Sequence, residues 1–124
     1  MDSEEWAEIA AEACEELKAK NIHLIRIDEV SSLAEWILIT EGLSDVQVRS
    51  IIRSVEDSLK EKAGIVPLRK EGINEGNWAL LDYGDLIVNV LQPEQRAFYN
   101  LEAFWSNGHS KVFSNSTSTQ SEKN

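Results

Sequence analysis

The chain has 124 residues, 42% of them hydrophobic, and its 22 Asp and Glu against 12 Lys and Arg give a formal net charge of −10 at pH 7. This length fits one domain, no apolar run is long enough to span a bilayer, and the shortage of Lys and Arg disfavours DNA or RNA as a direct partner. The acidic N-terminus is unlike a signal peptide, and the single Cys14 cannot form an internal disulfide. We therefore expect a cytoplasmic protein whose partner has a basic surface.

The first half of the chain predicts a helix, two strands and a second helix. Apolar residues recur at helical spacing in the first segment, with Ser3 as the expected N-cap. Strands are expected at 22–27 and 36–40, and the second is apolar throughout, which is typical of a central strand covered on both faces. Ser44 and Gln47 predict a capping box for the second helix. That helix carries one apolar stripe: Val48, Ile51, Ile52, Val55 and Leu59.

The second half predicts three strands, of which the last two form a β-hairpin. A short strand is expected at 65–69. Two β-rich runs, 78–81 and 86–91, then flank the polar link 82–85. Gly84 can adopt a positive φ in this link, as a tight turn between antiparallel strands requires.

The order of elements predicts the fold class. A strand–helix–strand crossover beside a hairpin indicates an α/β (α+β) fold, with a mixed sheet of about five strands and helices packed on it. Pro93 suits the first position of a short last helix. We expect one domain over 1–105 and a disordered polar tail over 106–124, where Ser, Asn and Thr dominate.

The hairpin link contains more charged and aromatic side chains than a turn requires. Asp82 and Asp85 are carboxylates on either side of Tyr83 and Gly84, and at a tip Tyr83 is not expected to bury itself fully in the core. Trp78 begins the first hairpin strand, on the face that alternation gives to Asp82. In one interpretation Trp78 is a core residue and the link residues only form the turn. In the other they are an aromatic anchor with adjacent carboxylates that contacts a basic partner.

Catalytic chemistry has little support in the sequence. His23 in a strand, His109 in the tail and Cys14 in an acidic helix form neither a nucleophile–base pair nor a zinc site. A nucleotidyltransferase-like site would place phosphate at 42–44 and magnesium on paired strand carboxylates, but the following strand, 65–69, has none. We therefore expect no enzyme, cofactor or metal, with a nucleotidyltransferase-like phosphotransfer enzyme as the alternative.

Several separate motifs resemble the Iojap-like ribosomal silencing factor family, and they occur in that family's order. The most specific are 78–88, which reads WALLDYGDLIV, and 96–105, which reads RAFYNLEAFW. Shorter matches at 40–47 and 67–72 support them. The resemblance covers roughly residues 7–105, which is nearly the whole expected domain.

The resemblance implies a mixed α/β fold of nucleotidyltransferase-like topology without its catalytic motif. It also implies binding to the large ribosomal subunit through ribosomal protein L-fourteen, where it would block the small subunit and repress translation. The family's recognition region matches five residues here: Trp78, Asp82, Tyr83, Gly84 and Asp85. Many members have a histidine where this chain has Asn89. Homodimers occur in the family, so a homodimer is an expectation, and a dimeric scaffold for another basic protein is a further alternative. The host is expected to be bacterial, with an organelle as the alternative.

Overall fold

A computed structural model describes residues 2–27, 34–99 and 109–114 of the chain. These residues form three helices and six strands: α1 (Ser3–Glu16), β1 (Lys20–Arg26), β2 (Trp36–Glu41), α2 (Asp45–Ala63), β3 (Arg69–Glu71), β4 (Trp78–Asp82), β5 (Leu86–Leu91), α3 (Pro93–Tyr99) and β6 (His109–Ser114). All six strands belong to one sheet, in the order β3-β4-β5-β2-β1-β6. The predicted α/β class is confirmed.

The sheet is mixed because one of its strand pairs is parallel. β2 and β5 run in the same direction, from Trp36 opposite Leu86 to Glu41 opposite Leu91. The other neighbouring strands are antiparallel. Parallel neighbours need a crossover connection, and here the chain between β2 and β5 includes α2, β3 and β4.

Both long helices pack on one face of the sheet, which we call the inner face. α1 contacts β1, β2 and β5, α2 contacts β4 and β5, and the two helices contact each other. The predicted stripe of α2 is fully buried there, and α1 contributes four buried alanines, whose small side chains let the two helices approach closely. Each large apolar side chain buried in this way stabilises the fold by about 2 kcal/mol.

The cap of α1 lies one residue earlier than predicted. Asp2, not Ser3, is the N-cap, because its carboxylate accepts a hydrogen bond from the Glu5 N–H at 3.0 Å. The Glu5 carboxylate in turn accepts from the Asp2 N–H at 3.1 Å. This reciprocal capping box requires an acidic or amide residue three positions after the cap, which Asp2 has in Glu5.

The cap of α2 agrees with the prediction in part. The Gln47 N–H donates to Ser44 Oγ at 3.1 Å, so Ser44 is the N-cap. The Gln47 side-chain oxygen, however, accepts from the Leu43 N–H at 2.6 Å, one residue before the cap. The Nε2 of the same Gln47 amide donates to the Leu17 carbonyl at 3.2 Å, and this bond orients the side-chain oxygen toward Leu43. Gly64 ends the helix with a φ of 69°.

Two strands differ from the expectation. The strand expected at 65–69 is displaced, since β3 begins at Arg69, after Pro67, which has no N–H to contribute to a ladder. Residues 109–114 were expected to be disordered, but they form β6, an edge strand paired antiparallel with β1. The sheet therefore has one strand more than the five expected. The rest of 106–124 lies outside the described residues.

Candidate partner-binding surface

The face of the sheet opposite the long helices, which we call the outer face, contains a second apolar cluster. Its buried members come from β1, β2, β5 and the chain next to them: Ile25, Ile27, Ala34, Ile37, Ile39, Ile87 and Leu91. Trp78 and Leu80 of β4 pack against this cluster but are only partly buried. Next to β4, the edge strand β3 is exposed along its whole length. The accessible part of the outer face is therefore the hairpin side.

Alternation along β4 decides which of its side chains are accessible. Ala79 and Leu81 are fully buried on the inner face, whereas Trp78, Leu80 and Asp82 are half-buried. The three half-buried residues share the outer face, as predicted for Trp78 and Asp82. Leu80 was not predicted as a site residue, although its place between them in the alternation could have identified it.

The predicted site residues are spread along the hairpin and do not cluster at one place on the surface. Trp78 pairs with Leu91 at the open end of the hairpin, and Asp82 pairs with Ile87 beside the turn. A rise of roughly 3.3 Å per residue puts about 13 Å between the two ends of the strand. We call the line made by Trp78, Leu80, Asp82, Gly84 and Asp85 the hairpin stripe.

Trp78 belongs both to the outer cluster and to the surface. Its indole Nε1 donates to Asn89 Oδ1 at 2.9 Å. Asn89 is buried, and its amide Nδ2 donates to the Leu38 carbonyl at 3.5 Å. A buried amide needs such partners, and here they also orient the indole. The Nε1 edge of the indole is therefore turned toward Asn89.

Tyr83 does not project from the tip, contrary to the expectation. It is 6% exposed and belongs to the inner-face core. The inward alternation of Ala79 and Leu81 continues for one residue beyond the strand, so Tyr83 packs beneath the turn. Burial, and next the nearby charge of Glu56, raise the pKa of the Tyr83 phenol above its usual range. No hydrogen-bond partner of its hydroxyl is found in the described part of the chain.

Asp82 and Gly84 build the turn. Asp82 Oδ1 accepts from the Gly84 N–H at 2.8 Å, and Gly84 has a φ of 90°, a region that favours glycine. Asp82 Oδ2 also lies 3.5 Å from Arg69 Nη2. The Asp82 carboxylate is therefore largely occupied within the protein.

Asp85 is the accessible carboxylate of the tip. Its side chain is exposed, while its backbone carbonyl accepts from the N–H groups of Glu35 at 3.0 Å and Trp36 at 2.9 Å. These two bonds fix the tip to the beginning of β2. The hairpin stripe thus combines a hydrogen-bonded backbone with an exposed charge.

Two of the residues considered for catalysis, Cys14 and Ser44, have structural positions. Cys14 is fully buried, and burial, with a smaller effect of Glu15, raises the pKa of its thiol to about 12, so it stays protonated and unreactive. The hydroxyl of Ser44 accepts the capping hydrogen bond of α2. Within the described ranges no three His, Cys, Asp or Glu side chains are grouped to hold a metal ion, and none of the helices there is long and apolar enough to cross a membrane.

Comparison with known proteins finds close similarity over most of the chain. The family described as ribosomal silencing factor during starvation matches residues 1–124. The ribosomal silencing factor RsfS of Bacillus subtilis is 37% identical over 105 residues, which cover 85% of this chain and 88% of that protein. The chloroplastic protein Iojap of Zea mays is 32% identical over 97 residues, 78% of this chain and 42% of that protein. The crystal structure of a Chromobacterium violaceum protein matches with a TM-score of 0.82 at 36% identity, covering 86% of this chain and 88% of that one.

Proposed function

The chain belongs to the ribosomal silencing factor family, and we propose that it binds the large ribosomal subunit through ribosomal protein L-fourteen and thereby blocks the small subunit. A protein bound at the joining face excludes the second subunit by its volume alone. This mechanism needs no catalytic group, cofactor or metal. The protein would act as a translational repressor in the bacterial cytoplasm.

The observation that carries this proposal is the composition of the hairpin stripe. It combines the half-buried side chains of Trp78 and Leu80 with the exposed side chain of Asp85. Aromatic side chains that can be desolvated, with charges at the rim, are typical of protein–protein contacts. A stripe held by backbone hydrogen bonds and by the Trp78–Asn89 bond also loses little conformational entropy on binding.

Electrostatics supports a ribosomal protein as the partner. Proteins that contact RNA carry clusters of Lys and Arg, and this chain has a net charge of −10. Opposite charges on the two surfaces accelerate the encounter and select against acidic partners. For the same reason rRNA is disfavoured as the main contact, because its phosphates would meet exposed carboxylates.

Sedimentation with isolated subunits tests the proposal. The protein should pellet with purified large subunits and stay in the supernatant with small subunits. When it is added before the subunits are mixed, the fraction of joined ribosomes should fall in proportion to the occupied large subunits. Pelleting with small subunits alone, or normal joining at saturating protein, would contradict the proposed blockade.

The homodimer is a separate expectation. Sedimentation velocity of the free protein across a range of concentrations decides it, because a dimer of a 14.0 kDa chain separates clearly from its monomer. The outcome does not alter the proposed contact with the large subunit.

A further inference from the structure

Four large hydrophobic side chains are strongly exposed in the described part of the chain. Leu43 and Val46, at the beginning of α2, are 62% and 63% exposed. Val66 and Leu68, between α2 and β3, are 62% and 77% exposed. Single exposed hydrophobic residues are ordinary, so their exposure alone identifies nothing. Val66 and Leu68, however, differ from the first pair because they lie beside a surface groove and the hairpin tip.

Leu68 is fixed directly against the hairpin tip. Its N–H donates to the Asp82 carbonyl at 2.7 Å, so its backbone continues the pairing of β3 with β4. Its Cδ1 lies 3.6 Å from the position that a Cβ on Gly84 would occupy. Pro67, directly before it, has a fixed φ. The backbone of the exposed leucine is therefore held next to the turn, and little backbone freedom remains to be lost on binding.

Val66 extends the apolar surface away from the tip. It lines an open groove of about 360 Å³ between the second half of α2 and the segment that leads to β3. Glu56, Asp57 and Lys60 of α2 form one side of this groove. Val66 and Leu68 thus connect the groove to the hairpin stripe, and we call the two residues the apolar ridge.

Carboxylates outnumber cations beside the apolar ridge. Arg69 lies 3.3 Å from Glu71 and 3.5 Å from Asp82, and Lys70 lies 3.3 Å from Glu56. Three further charged side chains there are exposed: Asp57, Lys60 and Asp85. Among these described residues five carboxylates stand against three cations, so the rim keeps a net negative charge.

We infer that the apolar ridge is a second anchor of the docking surface, with Leu68 inserting into an apolar depression rimmed by Lys and Arg on the protein partner. The inference rests on the proposed function, because it names a further contact of the same surface. An apolar centre with a charged rim is the usual anatomy of such contacts. A second copy of this chain fits less well, because a two-fold interface pairs the same patch on both copies and would set two rims of the same net negative charge against each other.

A matched pair of variants tests the inference. Leu68→Ser and Leu43→Ser each remove one strongly exposed leucine, but only the first lies beside the tip. In titrations of purified large subunits, Leu68→Ser should raise the dissociation constant about tenfold or more, whereas Leu43→Ser should stay within about twofold of wild type. Thermal unfolding of both variants should match wild type, since neither side chain is buried.

The outcomes of this test separate a failure of the inference from a failure of the proposed function. If wild type binds large subunits and Leu68→Ser binds them equally well, the inference is overturned while the proposed function stands. Equal weakening by both variants would also overturn it, because the effect would not be localised to the ridge. If Leu68→Ser abolishes a wild-type dimer in sedimentation velocity but leaves subunit binding unchanged, the occupant is a second copy. If wild type does not bind large subunits at all, the proposed function and the inference fail together.

Discussion

The two faces of β4 differ in burial, and under the proposed function this one strand serves both the fold and the contact. Ala79 and Leu81 are fully buried beneath α2, while Trp78, Leu80 and Asp82 on the opposite side are only half-buried. Adjacent residues in this strand therefore differ in their roles. The inward ones contribute most to the free energy of unfolding. On the outward side Trp78 and Leu80 also pack against the outer cluster, and we propose that this side contacts the partner. Substitutions at neighbouring positions should separate stability from binding.

The largest effect is expected on the inner face. Leu81→Ala leaves a cavity under α2 and should lower the free energy of unfolding by about 3 kcal/mol. Urea denaturation measures this change. Molecules that remain folded should bind large subunits as wild type does, because Leu81 does not reach the surface. If Leu81→Ala has normal stability but binds large subunits weakly, the two faces of β4 do not separate stability from binding.

The next effect is expected on the outer face, at Trp78. Trp78→Ala should weaken binding to large subunits at least tenfold, since a hot-spot aromatic contributes about 2 kcal/mol or more to an interface. Trp78→Phe is the matched control, because it keeps an aromatic ring but cannot donate to Asn89. It should bind with intermediate affinity. Wild-type affinity for a folded Trp78→Ala variant would exclude Trp78 from the contact.

A smaller effect is expected at the tip charge. Asp85→Asn should weaken binding severalfold at low salt, and the difference from wild type should shrink as ionic strength rises, because salt screens exposed charges. Glu12→Gln makes the same charge change on the exposed side of α1 and serves as the control. If both variants lose the same affinity, only the net charge matters and Asp85 has no specific contact.

The smallest effect is expected at Tyr83. Tyr83→Phe removes a buried hydroxyl that has no partner in the described part of the chain, so at neutral pH stability should change by less than about 1 kcal/mol and binding should not change. The raised pKa of the phenol means that the folded state resists ionisation. Wild type should therefore lose stability as the pH rises above about 10, where the unfolded phenol ionises, and Tyr83→Phe should lose less. A clear loss of binding in Tyr83→Phe would instead place Tyr83 at the contact.

Much of the fold followed from periodicity in the sequence. The stripe of α2, the apolar run of β2 and the hairpin were predictable because each pattern reports local backbone geometry and burial. β6 was not predictable, because its Ser-rich sequence gives a weak strand signal and its pairing depends on the distant β1. The predicted strand–helix–strand crossover correctly indicated a mixed sheet, but the parallel partner of β2 is β5, and the strand directly after α2, β3, lies at the edge beside β4.

The candidate site was predicted only in part. Alternation correctly put Trp78 and Asp82 on one face, but it does not show what lies beneath a turn, so the burial of Tyr83 was missed. The exposure of Leu68 was also missed. The sequence predicted a strand at 65–69 that would include this apolar residue, but β3 begins after it and lies at the edge of the sheet, so Leu68 stays in solvent.

Site-specific cross-linking tests whether the outer face of the hairpin contacts the large subunit, as proposed. A photoreactive residue at position 80 would lie in the middle of the hairpin stripe, and one at position 12, on the exposed side of α1, would lie beyond the opposite face of the sheet. Illumination of the complex should join position 80, and not position 12, to ribosomal protein L-fourteen, as identified by mass spectrometry. Cross-links from position 12 to that protein, with none from position 80 in a complex that still forms, would contradict the proposed contact.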